Sequence, residues 1–185
     1  MLAPRSPHLA ASPILRRAAL PPREALLLLA VINHPWLLET HAEEFAELEL
    51  RATEADRLRR AILDAGAGHQ VTDRMELRAA LTARDMGATL ARIEAAITHA
   101  SDWPARETAG PDDVACWWTH VVTLHRKSRT LNRELQEAEQ ALGREPSDAN
   151  LTWLRDVQER LAALEGTEAL IEGFGASSGR PVRTF

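Results

Sequence analysis

The stretch REALLLLAVINHPWLLE, residues 23–39, is the most apolar run of the chain and marks where its fold begins. Its uninterrupted apolar part is only eight residues long and ends at Asn33-His34-Pro35, without a small-residue cleavage site. An export signal needs such a cleavage site, and a membrane-spanning helix needs about 18 or more apolar residues. We therefore expect a short buried helix over about 22–32, with Pro22 near its first turn and a second helix starting at Pro35.

The composition favours helices throughout. Hydrophobic residues make up 45% of the 185 residues and charged residues 26%, as in an ordinary globular protein. Alanine and leucine dominate, β-branched residues are few, and no alternating run of apolar and polar residues exceeds about four residues. The sequence therefore predicts an all-α fold, a bundle of short helices followed by a long antiparallel helical hairpin.

The single cysteine limits both the chemistry and the compartment. Cys116 excludes an internal disulfide and a cysteine-based zinc cluster, and it is compatible with a reducing compartment. Its neighbour Trp117 and the lack of an activating base indicate a packed, unreactive thiol. Since export and membrane anchoring are excluded as well, we expect a cytoplasmic protein with no membrane association.

The charge is unevenly distributed. Residues 1–23 carry four arginines and no acid, and residues 173–185 carry two arginines and no acid. Subtracting these from the total of −5 leaves −11 on residues 24–172. An acidic body repels the phosphate backbone that supplies most nucleic-acid affinity. We therefore expect little or no direct nucleic-acid binding by the folded part.

Residues 1–110 divide into an arm and a bundle. Residues 1–20 contain three prolines and no sustained period, so they are predicted to be a linker or arm. Residues 21–110 form the predicted helical bundle, in which Met75, Leu77 and Leu81 are the apolar positions of the fourth helix. Its five helices are expected over about 22–32, 35–48, 52–65, 73–84 and 86–100.

Residues 111–172 form the predicted hairpin. No proline or glycine occurs from 112 to 142, and apolar residues recur in steps of three and four. This seam predicts a helix over about 112–143, with seam positions Trp117, Val121, Leu124, Ser128, Leu131, Leu135, Ala138 and Leu142. After the turn GREPSDAN, a second helix is expected over about 148–172, with seam positions Leu154, Val157, Leu161, Leu164, Glu168 and Ile171. Residues 173–185 are predicted to be a flexible tail.

We find no catalytic or metal-binding motif. His41 and Glu44 are three residues apart and could share a helix face, but a di-iron bundle needs a second such pair and further inward-facing glutamates. His120 and His125 lie roughly 140° apart around a helix, so they cannot chelate one ion together. Nucleotide-binding and serine-hydrolase motifs are absent as well. We therefore predict no catalytic residues, no metal and no cofactor.

The order of these segments resembles one family. REALLLLAVINHPWLLE, then EADRLRRAILD at 54–64, and finally VQERLAALEGTEALIEGFGASSGR at 157–180 resemble the C-terminal, helicase-binding domain of bacterial DnaG-type DNA primases. The last segment is similar to the ends of alphaproteobacterial primases. The resemblance covers residues 20–176 and depends on segment order more than on any single motif.

The resemblance implies a non-catalytic interaction domain. In that family, the domain consists of a helical bundle and a C-terminal hairpin. The hairpin contacts the N-terminal domains of the replicative helicase, which recruits primase to the replication fork for RNA primer synthesis. Primer synthesis itself belongs to a zinc ribbon and a catalytic core, neither of which this chain contains. The resemblance thus implies that the chain is no enzyme by itself and that residues 1–20 are a tether. We expect a monomer.

The predicted partner-binding residues lie on the second hairpin helix and just after it. This helix combines exposed charge with apolar positions, which is typical of a docking surface. The candidates are Trp153, Leu154, Arg155, Gln158, Leu161, Ile171 and Phe174. The alternative hypothesis is a helicase N-terminal-type domain or a coiled-coil adaptor that acts as an oligomerisation module.

Overall fold

The apolar run at the start of the sequence forms the central helix of the fold. A computed structural model describes residues 20–67, 73–96 and 100–165 of the protein. Helix α1 (Pro22–Asn33) buries eight of its twelve residues and packs against most of the other elements of the bundle. A helix that is apolar on all sides is stable only when it is surrounded. The prediction of a buried core helix at this position is confirmed.

The described residues contain seven α-helices and one 3-10 helix, with no strand among them, so the predicted all-α class is confirmed. The bundle continues with α2 (Leu37–Ala46), α3 (Thr53–Ala67), α4 (Arg74–Ala83), α5 (Gly87–Ala96) and a 3-10 helix (Ala100–Ala105). Two further helices follow, α6 (Pro111–Arg144) and α7 (Asp148–Glu165). The predicted linker 1–20 lies outside the described residues except for Leu20, and the predicted tail 173–185 lies outside them altogether.

Two details of the bundle differ from the sequence-based expectations. The 3-10 helix at Ala100–Ala105 was not expected, because Pro104 and the neighbouring polar residues indicate a break in the pattern. Met75 was expected in the apolar face of the fourth helix, but 66% of it is exposed, whereas Leu77 and Leu81 are fully buried. The reason is rotation about the helix axis: Leu77 and Leu81 are four residues apart and share a face, whereas Met75 precedes Leu77 by roughly 200°.

Helix α6 belongs to both parts of the molecule. Its first half contributes Val114, Trp117, Trp118, Val121 and Val122 to the core that surrounds α1. Its second half extends beyond this core as part of a helix of 34 residues, about 50 Å long. The first turns of the predicted hairpin are therefore packed into the bundle, which fixes the direction in which α6 leaves it.

Helix α7 packs principally on the second half of α6. The amide of Asn150 donates to the carbonyl of Ala141 near the turn, and Arg160 pairs with Glu134 farther from it, so the two helices run in opposite directions. Along the predicted seams, Leu131, Ala138 and Val157 are buried, and Leu135, Leu142, Leu154, Leu161 and Leu164 are half-buried. Two helices packed on each other alone can bury only one narrow stripe each.

Polar side chains attach α1 to the segments around it. The Asn33 side-chain amide donates to the carbonyl of Ala105 at 2.8 Å, and Nε2 of His34 donates to the carbonyl of Arg106 at 3.0 Å. Burial lowers the pKa of His34, although its hydrogen bonds to backbone carbonyls oppose this shift. The Asn-His-Pro break therefore ends α1 and also attaches it, through hydrogen bonds, to the chain around the 3-10 helix.

Candidate partner-binding surface

The outer part of the α6–α7 pair is the most separate surface of the molecule. Beyond Arg133, the side-chain hydrogen bonds of α6 stay within α6 or go to α7 and the turn before it, among the residues that the structure describes. Both helices present their remaining faces to solvent, and most of the predicted partner-binding residues lie here. Its two flanks, on either side of the seam between the helices, have different chemistry.

One flank is closed by a polar cluster, the Glu134 clasp, formed by Glu134, Trp153, Asp156 and Arg160. Arg160 holds the Glu134 carboxylate with two hydrogen bonds of 2.9 Å, and the Trp153 indole N–H donates to it at 3.3 Å. Arg160 also bonds Asp156 at 3.1 Å. The hydrogen bonds from Arg160 and Trp153 lower the pKa of Glu134, so the clasp is charged at neutral pH.

The other flank is apolar. Leu135 and Leu142 on α6 and Leu154 and Leu161 on α7 are all half-buried. Each lies about 40–60° from the seam centre at 100° per residue, on the side opposite to Glu134 and Arg160. We call this surface the leucine flank. It brings together two leucines from each helix. Among the described residues, this flank has no polar cluster equivalent to the Glu134 clasp.

The structure separates the predicted partner-binding residues into three groups. Trp153 belongs to the Glu134 clasp, so it holds α7 on α6. Leu154 and Leu161 line the leucine flank and Gln158 is exposed beside it, whereas Arg155 is exposed on the face of α7 opposite the seam. Ile171 and Phe174 lie outside the described residues. Sequence periodicity alone did not distinguish these positions. It does not predict on which side of the seam a polar cluster joins the two helices.

The sequence analysis did not predict an ion-pair network near the middle of α6. Arg126, Arg129 and Arg133 follow one face of α6 at intervals of three and four residues, and they contact glutamates at the end of α2 and just after it. Arg133 is the closest, at 2.9 Å from Glu49, and its positive charge lowers the pKa of Glu49. The signal was present: residues 114–133 hold four basic and no acidic residues, and residues 24–50 hold six glutamates and neither lysine nor arginine.

Buried polar groups also join α6 to α2 and to the loop that follows α2. Nε2 of His125 donates to the carbonyl of Glu49 at 2.9 Å, and the Trp118 indole donates to Glu44 at 2.9 Å. Glu44 is half-buried beneath α6. The Glu24 carboxylate accepts from the amides of Arg51 at 2.7 Å and Ala52 at 3.1 Å, immediately before α3. These bonds fix the loop between α2 and α3 against both α1 and α6.

Among the described residues, no group of three or more histidine, cysteine, aspartate or glutamate side chains could hold a metal ion. His41 does approach Glu44, at 3.4 Å, but this pair stands beside the Trp118 ring. Cys116 is exposed, so the expectation of a packed thiol was wrong, because position 116 faces away from the core that Trp117 enters. A cleft between α1, α4 and the segment after the 3-10 helix contains Arg74 and Arg78, which pair with Glu107 and Glu94.

Comparison with known proteins gives no relative. No protein-family model matches the chain, and neither a curated protein nor a solved structure is significantly similar to it. Within the described ranges, no helix is long and apolar enough to cross a membrane.

Proposed function

We propose that this chain is a non-catalytic protein-interaction domain of a bacterial DNA primase. It binds the N-terminal domain of the replicative DNA helicase in the cytoplasm and thereby recruits primase to the replication fork. The observation that carries the proposal is the outer α6–α7 pair, whose faces away from the seam are open to solvent. The resemblance in the order of sequence segments supplies the identity of the partner.

The charge distribution supports a protein partner over nucleic acid. Residues 24–172 carry a charge of −11, and the arginines of α6 are largely engaged by glutamates of the same chain. A nucleic-acid surface needs a continuous basic stripe that neutralises phosphates. Half-buried leucines on both α6 and α7 give this pair apolar surface that a helix of a protein partner can cover.

Binding to the purified N-terminal domain of the helicase from the same organism tests the proposal. Isothermal titration calorimetry with the full chain is expected to give a Kd of about 10 µM or tighter. The absence of a complex at concentrations of about 100 µM, with the chain folded by circular dichroism, would contradict it.

The oligomerisation alternative has a separate signature. The half-buried leucines of the α6–α7 pair could also pack against a second copy of the chain. Sedimentation velocity distinguishes the two functions: we expect a monomer that forms a complex with the helicase domain. Self-association at micromolar concentration without helicase binding would favour the oligomerisation module instead.

A further inference from the structure

We propose that a cleft on the helical bundle binds an acidic segment of a protein, holding a glutamate or aspartate carboxylate of that segment between arginines. This cleft, which we call the arginine cleft, lies between α1, α4, α5 and the chain after the 3-10 helix, and it has a volume of about 420 Å³. Its charged lining residues are Arg74, Arg78, Glu94, Arg106 and Glu107. The inference goes beyond the proposed function, because the cleft is separate from the outer α6–α7 pair.

The arginine cleft lies near the start of α6, whereas the outer pair lies near its end. Arg106 and Glu107 come just before α6 begins at Pro111, and the outer pair begins beyond Arg133. From Pro111 to Arg133, α6 rises about 33 Å at roughly 1.5 Å per residue. A molecule in the cleft therefore leaves the outer pair accessible, and the two surfaces can be tested separately.

The first argument for the occupant is charge. Three arginines and two glutamates line the cleft, which gives it a net charge of +1, although residues 24–172 together carry −11. Arg106 is exposed, and it makes no ion pair with a residue that the structure describes. Exposed charges more than about 8 Å apart are largely screened at physiological salt. A group in the cleft therefore responds mainly to the arginines beside it, and these favour a carboxylate.

The second argument is the incomplete pairing of Arg78. Its Nη2 pairs with Glu94 of α5, whereas its Nε is buried and has no hydrogen-bond partner among the described residues. Nε and Nη2 lie on one edge of the guanidinium group, and such an edge can hold both oxygens of a carboxylate at once. Glu94 uses only half of this edge. A carboxylate that displaces Glu94 gains the second hydrogen bond.

The ion pairs that occupy the arginine cleft are exchangeable. The side chain of Glu94 is 45% exposed, and that of Glu107, which pairs with Arg74, is 52% exposed. Exposed ion pairs contribute little to stability, because water solvates both partners well. The two glutamates therefore stand where the carboxylates of a bound segment would lie, and they can turn towards solvent when that segment binds.

The third argument concerns the kind of molecule. Among the described lining residues only Leu29 is apolar, and Arg106, Glu107 and Glu94 are exposed. Sites for small molecules are mostly apolar and enclose most of the ligand. Besides the unused donor of Arg78, the wall holds an unused acceptor, since Oδ1 of Asn33 has no hydrogen-bond partner among the described residues. An open polar cleft with both kinds of group suits a peptide, whose backbone carries N–H and C=O groups.

A titration with a defined peptide tests the proposal. The probe is an acetylated and amidated hexapeptide of alternating serine and glutamate, and the control peptide has glutamine in place of glutamate. In amide NMR spectra of the labelled full chain, we expect the glutamate peptide to shift signals of Arg74, Arg78 and residues 106–108, with a Kd of about 1 mM or tighter. The affinity should fall at higher salt, and the glutamine peptide should bind about tenfold more weakly or worse.

Two arginine variants locate the binding site. Arg78→Lys keeps the positive charge but cannot present two parallel N–H groups, and Arg106→Gln removes one charge from the cleft. Each is expected to weaken binding of the glutamate peptide about threefold to tenfold. Arg155→Gln, which removes an exposed arginine on α7, should leave the Kd within about twofold of the original value. Circular dichroism identifies any variant that no longer folds.

Removal of the glutamate that competes for Arg78 should have the opposite effect. Glu94→Gln leaves the Nε–Nη2 edge of Arg78 to the peptide, so we expect binding to become about threefold tighter. Glu159→Gln removes the same charge from an exposed position on α7 and is the matched control. Its Kd should stay within about 1.5-fold of the original value, because salt screens the distant charge.

Several results would overturn the assignment. These are the absence of shifts in the cleft at about 10 mM peptide, and equal binding of the glutamate and glutamine peptides. Unchanged binding in Arg78→Lys, Arg106→Gln and Glu94→Gln would place the peptide elsewhere on the chain. If glutarate or inorganic phosphate binds the same residues more tightly than the peptide does, the occupant is a small anion instead of a protein segment. None of these measurements uses the helicase domain, so a failure of the proposed function is distinguishable from a failure of this proposal.

Discussion

Single polar residues determine how α1 is held at the centre of the molecule. Glu24 lies in the first turn of the mostly apolar α1 and is only 2% exposed, and its two oxygens accept hydrogen bonds from the backbone amides of Arg51 and Ala52. These two N–H donors satisfy the hydrogen-bonding capacity of a carboxylate that is removed from water. Neither the acid nor its partners stand out in the sequence, because the donors are backbone groups 27 and 28 residues away.

His125 makes the stability of the protein depend on pH. Burial lowers its pKa below the usual 6.5, although the hydrogen bond to Glu49 and the negative charge of Glu24 oppose the shift. The unfolded chain therefore binds a proton at this site more readily than the folded chain does. The contribution of neutral His125 to stability is complete above about pH 6.5 and decreases as the pH falls below it.

We predict that His125→Gln reduces this loss of stability on acidification. The free energy of unfolding, measured with urea at pH 7 and pH 5, should fall less in the variant than in the original chain. His34→Gln should act in the same direction, since burial lowers the pKa of His34 as well. An equal loss in the original chain and in both variants would show that these histidines do not titrate differently on folding.

At the scale of elements, the glycines within helices test how closely neighbouring helices pack. A Cβ at Gly143 in α6 would have no neighbouring atom within 4 Å, whereas one at Gly66 in α3 would lie 3.0 Å from Cδ1 of Leu38 in α2. Both positions gain helix propensity with alanine. Only at Gly66 does that gain conflict with packing.

We predict that Gly143→Ala raises the free energy of unfolding by about 0.5–1 kcal/mol. Gly66→Ala should give less than half of this gain or a net loss, because Leu38 must move to admit the methyl group. Urea denaturation of the two variants checks the comparison. Equal gains at both sites would mean that the contact between α2 and α3 is looser than the structure describes.

The whole molecule has a gradient of local stability along α6. The first half of this helix is packed into the bundle core, and the second half packs mainly on α7. Local unfolding is easiest where few buried contacts are lost. We therefore expect the outer α6–α7 pair to open independently of the helices around α1.

We predict that Val157→Ala loosens this outer part selectively. Val157 is fully buried in the seam, and removing two of its carbons costs about 2 kcal/mol. Amide hydrogen exchange should become faster at residues 134–165 and remain unchanged in α1. Uniformly faster exchange throughout the chain would show instead that the bundle and the outer pair unfold as one cooperative unit.

The sequence by itself determined the class of fold and the approximate bounds of the helices. Helical periodicity, the Pro22 start and the long stretch without proline or glycine are local signals, and backbone propensity with apolar burial makes them reliable. The sequence also indicated the seam of α6, where Leu131 and Ala138 are buried as expected.

Only the tertiary structure decided which polar residues hold these helices together and which flank of the α6–α7 pair is left open. Glu44 beneath Trp118, the arginines of α6 beside Glu49 and the clasp at Glu134 each join residues from different helices. Periodicity gives the angle of a residue on its own helix, whereas these contacts depend on the rotation and register of two helices against each other. That arrangement is set by the packing of side chains from distant parts of the chain.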